Sequence, residues 1–321
     1  METTDRSTQE LIESAERFEE NGAIAEALDT WEAVLKRERD PVFLCHFGRL
    51  AMEAGKREEA REAFLEAAML NPRLAFAHEY LGIWYEEEGD LEESLKHLET
   101  SLRIKKTAAT YTLRGAVQLR LGKVLEARES FNQALSIDPH YEEAYCNLGI
   151  TYTSEEPTRA ITYFRKALEL DPQFAKAHSE LGQTLRRLNK NAEAEYHLQR
   201  AIELDETDAW AHIYLGNLLW ARRDISSAEG YFKKAIDLWP HLSAPYWSLA
   251  MFYEYEGRNQ EAEELYQRAL TIDPNDPEAN KKFGVYLKDL GETAKAREYL
   301  ERALTLRPED QSISEILAKL N

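Results

Sequence analysis

Prolines punctuate this chain at a nearly constant interval, and that interval limits what it can fold into. Pro139, Pro172, Pro240, Pro274 and Pro308 each follow an apolar helical run, at separations of 33, 68, 34 and 34 residues. The long gap is two intervals, and Glu206 stands where the intervening proline would fall. Pro72 precedes Pro139 by 67 residues, with Lys106 near the midpoint. Proline cannot continue a helix, so each one marks a helix end and the link to the next unit. A second mark recurs midway through the units: Gly22, Gly55, Gly89, Gly122, Gly257 and Gly291, with Asn189 at the same phase. Glycine or asparagine just past a helix adopts the left-handed conformation that ends it. Each unit is therefore predicted to be helix, tight turn, helix. Two turns depart from the rule. Arg223 takes the glycine's place in the seventh unit, and the fifth has Ser154, Glu155, Glu156 and Pro157 there, one residue short.

The apolar residues repeat with the same period. The fifth unit carries Tyr145, Leu148, Gly149, Tyr152, Ala160, Phe164, Ala167 and Pro172, and the eighth Tyr246, Leu249, Ala250, Tyr253, Ala262, Tyr266, Ala269 and Pro274. An aromatic, then Leu-Gly, then Tyr, followed by Ala, Phe, Ala and Pro resembles the tetratricopeptide repeat. The resemblance covers residues of about 8 to 310, in nine units: 8–40, 41–74, 75–107, 108–141, 142–174, 175–208, 209–242, 243–276 and 277–310. The first and fourth diverge, and Arg114 occupies an apolar place in the fourth. Residues 1–7 read as an N-terminal tail and 311–321 as a C-terminal capping helix, with Asp310 as its cap and Ile313, Ile316, Leu317 and Leu320 on one face. Asp276 and Pro277 read as a cap followed by proline at the first helical position. The resemblance implies an all-α fold, an α-solenoid whose antiparallel helix pairs stack into a right-handed superhelix. Small residues such as Gly149, Gly182 and Gly216 are expected to let paired helices approach closely.

Composition narrows the function. The chain has 321 residues, 59 of them acidic and 40 basic, a formal charge of −19. That average field repels a nucleic-acid backbone, so no nucleic-acid partner is expected. Residues 1–107 are the most acidic part, which suits a basic partner at that end. No stretch approaches the roughly 20 apolar residues of a membrane helix, and the first ten residues lack the pattern of a secretory signal, so the expected compartment is the cytoplasm. Cys45 and Cys146 lie three repeats apart and read as small buried side chains.

In the family that this sequence resembles, the first helix of each unit lines a concave groove, at helix positions 2, 5, 6, 9, 12 and 13. Units seven and eight place Trp210, Ile213, Tyr214, Asn217, Trp220, Trp247, Met251 and Tyr255 there. Trp and Tyr anchor many protein interfaces, although the same side chains can serve as core between helices. Units four to six offer Arg120, Asn147, Lys176, Arg186 and Arg187, which could hold an acidic segment or a C-terminal carboxylate. Some co-chaperone members of the family hold such a carboxylate with Lys, Asn, Asn, Lys and Arg. Here Asn147 and Lys176 occupy two of those places while Thr112, Ala116 and Glu180 occupy the others, so chaperone-tail binding is not expected. Nor do the groove positions carry the run of asparagines found in the repeats of some glycosyltransferases.

No HExxH, phosphate loop or nucleophile elbow appears, and the glycines follow helix geometry. His78, His178 and His212 share one repeat phase and read as packing residues. The chain thus reads as a protein-interaction scaffold, not an enzyme, with no cofactor or metal, no membrane partner, and another protein or peptide in its groove. A homo-oligomeric structural module and a regulatory subunit of an enzyme are the competing readings.

Overall fold

The structure, a computed structural model, describes residues 7–320; the expected tail falls almost entirely outside them. Among the described residues there are nineteen helices and no strand. The chain divides into two compact units, at Leu170 and Asp171. The N-terminal unit holds five helix pairs: α1 (Thr8–Glu20) with α2 (Ile24–Leu35), α3 (Pro41–Glu53) with α4 (Arg57–Leu70), α5 (Ala75–Glu87) with α6 (Leu91–Ile104), α7 (Ala108–Arg120) with α8 (Val124–Ile137), and α9 (Glu142–Ile150) with α10 (Pro157–Leu170). The C-terminal unit holds four: α11 (Ala175–Arg187) with α12 (Asn191–Leu204), α13 (Ala209–Ala221) with α14 (Ile225–Leu238), α15 (Ser243–Tyr255) with α16 (Asn259–Ile272), and α17 (Pro277–Asp289) with α18 (Thr293–Leu306). The last helix, α19 (Gln311–Ala318), packs on α18.

The turns inside the pairs follow the expected punctuation. Six glycines there have positive φ, from 68° at Gly22 to 82° at Gly89, and Asn189 joins them at 58°. Arg223 adopts the same conformation, with φ 67°. A residue with a Cβ is strained there by about 1–2 kcal/mol. The fifth turn has no such residue, and α9 is correspondingly short, nine residues against thirteen in the other groove-side helices.

Within a pair, the small-large match is steric. A Cβ on Gly149 would lie 2.6 Å from the Phe164 ring, and one on Gly182 would lie 2.6 Å from Leu198. Gly216 is less tightly covered, with Phe232 3.1 Å from the same point. The facing rings, Phe64, Phe131, Phe164 and Phe232, are completely buried. Each such ring contributes roughly 3–5 kcal/mol when judged by its truncation.

Between pairs, the side chain at position 4 of the groove-side helix ties down the linker. His178 Nε2 donates to the Pro172 carbonyl at 3.2 Å, Tyr246 Oη to that of Pro240 at 3.0 Å, and Asn280 Nδ2 to that of Pro274 at 3.0 Å. Because its Nε2 carries the proton, neutral His178 accepts at Nδ1, and His197 Nδ1 lies 2.9 Å away. His78 and His97 repeat the arrangement in the N-terminal unit, with the Pro72 carbonyl as acceptor. These histidines are packing and linker residues, as expected. Arg114, at an apolar place, lays its guanidinium over Tyr111 and donates to Ser130 Oγ at 3.0 Å.

The remaining caps are as read. Asp276 accepts from the backbone of Glu278 and Ala279, with Pro277 opening α17. Asp310 caps α19, whose Ile313, Ile316, Leu317 and Leu320 pack on Leu300 and Ala303 while Glu315 and Lys319 face water. Both cysteines are buried and free.

Candidate functional site

Four groove-side helices of the C-terminal unit, α11, α13, α15 and α17, enclose a cleft of about 660 Å³. Every aromatic residue expected at the groove of units seven and eight lines it: Trp210, Tyr214, Trp220, Trp247 and Tyr255. Ile213, Asn217 and Met251 complete that set. The reason is helical spacing: positions 2, 5, 6, 9 and 12 or 13 stay on one stripe of each helix.

These rings are shared between the core and the cleft surface. Trp210, Tyr214, Trp220, Trp247 and Met251 are half-buried, with one side packed on the core of the unit and the other facing the cleft. Trp210 stacks on Tyr214 with centroids 5.7 Å apart and meets Trp239 edge-on at 6.4 Å. Trp220 meets Phe252 and Tyr255 edge-on, at 5.6 and 5.2 Å. The Trp247 indole N–H donates to Asp276 at 3.2 Å, which fixes that ring through the cap of α17. Tyr255 is more than half exposed, and Arg223 both covers its ring and donates to its hydroxyl at 2.6 Å. The strained turn thus delivers a guanidinium to the rim.

Several polar groups in the cleft have no protein partner among the described residues. These are the indole N–H groups of Trp210 and Trp220, the Tyr214 hydroxyl and the Asn217 amide. Arg186 is half-buried; its Nε donates to Gln183 at 3.0 Å, and it makes no ion pair. Burial, reinforced by the adjacent charge of Arg187, holds its guanidinium below the ordinary arginine value. Burial also drives the Tyr214 hydroxyl upward, with the charges of Glu180 and Asp208 adding to it. Glu180, half-buried one turn from Lys176, is pushed up to about 7, chiefly by burial.

The remaining expected site residues fall elsewhere. Asn147 is only 5% exposed, packed inside the N-terminal unit. Arg120 is held by Glu86, through both its carboxylate and its backbone carbonyl, the latter at 2.8 Å. Lys176 and Arg187 are exposed on α11 outside the cleft lining. Sequence reasoning passed over Gln183, Arg223, Glu278 and Lys282, which do line the cleft. Gln183, Glu278 and Lys282 were legible, because they stand at positions 9, 2 and 6 of their helices. Arg223 was not, since it belongs to a turn.

Among the described residues no group of three or more His, Cys, Asp or Glu side chains could hold a metal ion. Nor, among the described residues, is any helix long and apolar enough to cross a membrane.

Tetratricopeptide repeat family matches cover residues 42–74, 73–140, 106–173, 152–209 and 241–309. This chain belongs to the tetratricopeptide repeat family. Proteins of this family mediate protein–protein interactions. Among curated proteins, the tetratricopeptide repeat protein resembles the TPR repeat-containing protein YpiA of Bacillus subtilis, 28% identical over 143 residues, 44% of this chain and 34% of YpiA. It also resembles a probable UDP-N-acetylglucosamine–peptide N-acetylglucosaminyltransferase, SPINDLY, of Hordeum vulgare, 29% identical over 129 residues, 40% of this chain and 11% of that protein. The match thus spans about a third of the one and a tenth of the other. Among solved structures, a tetratricopeptide repeat protein from Parabacteroides merdae superposes with a TM-score of 0.59 at 23% identity, over 76% of this chain and 98% of that one. The Cut9–Hcn1 hetero-tetramer of the APC/C gives a TM-score of 0.55 at 14% identity, over 98% of this chain and 90% of that one. At these identities the likeness establishes the repeat α-solenoid fold.

Proposed function

We propose that this tetratricopeptide repeat protein is an interaction scaffold, and that its C-terminal unit holds a segment of a partner protein in the cleft between α11, α13, α15 and α17. The observation that carries the reading is the pairing of half-buried aromatic faces with partnerless polar groups on one surface. Rings fixed by packing lose little entropy on binding, which is what makes Trp and Tyr effective anchors. The Asn217 amide and the Trp210 and Trp220 N–H groups stand ready for the backbone of an extended chain. Catalysis has no comparable support, because the cleft contains no acid–base or nucleophile constellation among its lining residues.

The test is selection of displayed random dodecapeptides on the full chain, followed by titration of the winners. Peptides are expected to be recovered whose affinity falls at least tenfold with Trp210→Ala and with Asn217→Ala. The asparagine change leaves the packed rings in place, and an unchanged thermal melt of that variant separates lost contact from lost fold. Winners indifferent to both substitutions would place the docking site elsewhere and sink the proposal.

A further inference from the structure

We infer that the cleft is specific for an internal acidic segment of its partner, with side-chain carboxylates meeting Arg186 on one side and Lys282 on the other, and an apolar residue between them packed on the tryptophans. This deepens the docking reading above and rests on it.

The inference comes from where this acidic chain leaves its cations unpaired. Adjacent residues show the contrast. Lys281 pairs with Asp310 at 2.7 Å, whereas Lys282 in the cleft makes no ion pair among the described residues. Arg222 pairs with Glu195 at 2.5 Å, whereas Arg223 on the rim holds only the Tyr255 hydroxyl and ring. Arg186 spends one nitrogen on a neutral amide and leaves the rest of its fork open. Lys282 acts on Glu254, whose carboxylate already accepts from the Tyr266 hydroxyl at 2.8 Å. The one acid lining the cleft, Glu278, is held by Arg307 at 2.8 Å.

Desolvating a guanidinium without a counter-charge is costly, and a carboxylate that arrives with the ligand removes the cost through charge-assisted hydrogen bonds. Burial already lowers the Arg186 pKa, in keeping with a charge that lacks its anion. The net charge of −19 does not forbid an acidic ligand, because at physiological salt charges beyond about 8 Å are screened and the lining cations dominate. A cationic ligand on the aromatic faces would instead meet Arg186, Arg223 and Lys282 at short range. Nucleic acid also stacks on aromatics, but its backbone carries a charge at every nucleotide and needs a continuous basic track, whereas the cleft lining offers three separate cations, Arg186, Arg223 and Lys282. An internal segment is favoured over a free C-terminus because the cations flank the cleft on helices α11 and α17, with α13 and α15 between them.

The peptides selected above also decide this point. They are synthesised with acetylated and amidated ends, so that only side-chain carboxylates remain, and titrated by anisotropy. The expected winners carry Asp or Glu on both sides of an aliphatic or aromatic residue. Replacing those acids by Asn or Gln should weaken binding at least tenfold. Arg186→Gln with Lys282→Gln should do the same without lowering the thermal melt, and Arg186→Lys should restore part of the loss. Winners without an acidic bias, or indifferent to the charge changes while still sensitive to Trp210→Ala and Asn217→Ala, would overturn the acidic specificity and leave the docking reading intact. Indifference to all four positions would remove both. Tighter binding of a fifteen-nucleotide oligouridylate than of any peptide would overturn the choice of ligand class.

Discussion

The N-terminal unit has a cleft of its own, about 500 Å³ against 660 Å³ in the C-terminal unit, and the two differ sharply in how charge is used. In the N-terminal cleft the cations are neutralised where they stand. Lys36 pairs with Glu32 at 2.7 Å, Arg39 with Glu66, and Lys56 with Glu59 at 3.4 Å. Its apolar lining is small: Leu35, Leu44, Phe47 and Ala63. The C-terminal cleft has five aromatic rings and three cations without a carboxylate. Yet both units are made of the same helix pair, with the same glycine turns and the same histidine on a linker carbonyl. Repeat geometry sets where side chains point. What they carry at those points is free to differ, and there one unit closes its charges upon itself while the other leaves them open.

The shared part of the comparison is tested by the largest effect. Phe164→Ala in the N-terminal unit and Phe232→Ala in the C-terminal one should each cost about 3–5 kcal/mol, measured by urea unfolding or by local hydrogen exchange. The looser fit of Phe232 on Gly216 puts it at the lower end. A loss below about 1 kcal/mol at either site would break the equivalence of the two pairs.

The next effect belongs to the C-terminal unit and depends on pH. The Glu180 carboxyl is raised to about 7 from 4.5, so the folded chain keeps its proton while the unfolded chain has lost it. Stability is therefore lost as pH rises from 4.5 toward 7 and stays lost above. Glu180→Gln should stabilise the protein by about 1–3 kcal/mol at pH 8 and change little at pH 4, read from melts at the two pH values. Equal effects at both would show that burial does not govern this group.

Arg223 gives a smaller shift. Arg223→Gly should stabilise the unit by about 1 kcal/mol, since glycine accepts φ 67° without strain, and should weaken binding of acidic peptides by removing a rim cation. Lower stability would mean that the Tyr255 contact outweighs the backbone strain.

The smallest effect sharpens the contrast in charge. Arg39→Ala, which breaks an exposed pair in the N-terminal cleft, should change stability by less than about 1 kcal/mol and leave peptide affinity unaltered. A peptide affinity that fell with it as it falls with Arg186→Gln would place the ligand on both units and dissolve the distinction.

Much of the fold was legible because its signals are local. A proline or a glycine acts on the few residues beside it, and nine repetitions turn a weak local preference into a strong one. The aromatic stripe was legible for the same reason, since position along a helix fixes its face. The burial of Asn147 was not legible because burial depends on neighbouring helices. The pairing of Arg120 was not legible because its partner Glu86 lies 34 residues away, one repeat back, beyond the reach of local spacing.

The sequence by itself determined the repeat length, most of the turns inside the helix pairs and the side on which Trp210, Trp220 and Trp247 lie. These follow from backbone chemistry and a 3.6-residue period. The tertiary structure alone decided which charges are satisfied. That Arg186 and Lys282 lack the carboxylates that Lys281 and Arg222 possess is a matter of distances between helices, set by packing across repeats. Charges beyond about 8 Å are largely screened at physiological salt, so only the three-dimensional arrangement separates a neutralised cation from one awaiting a ligand.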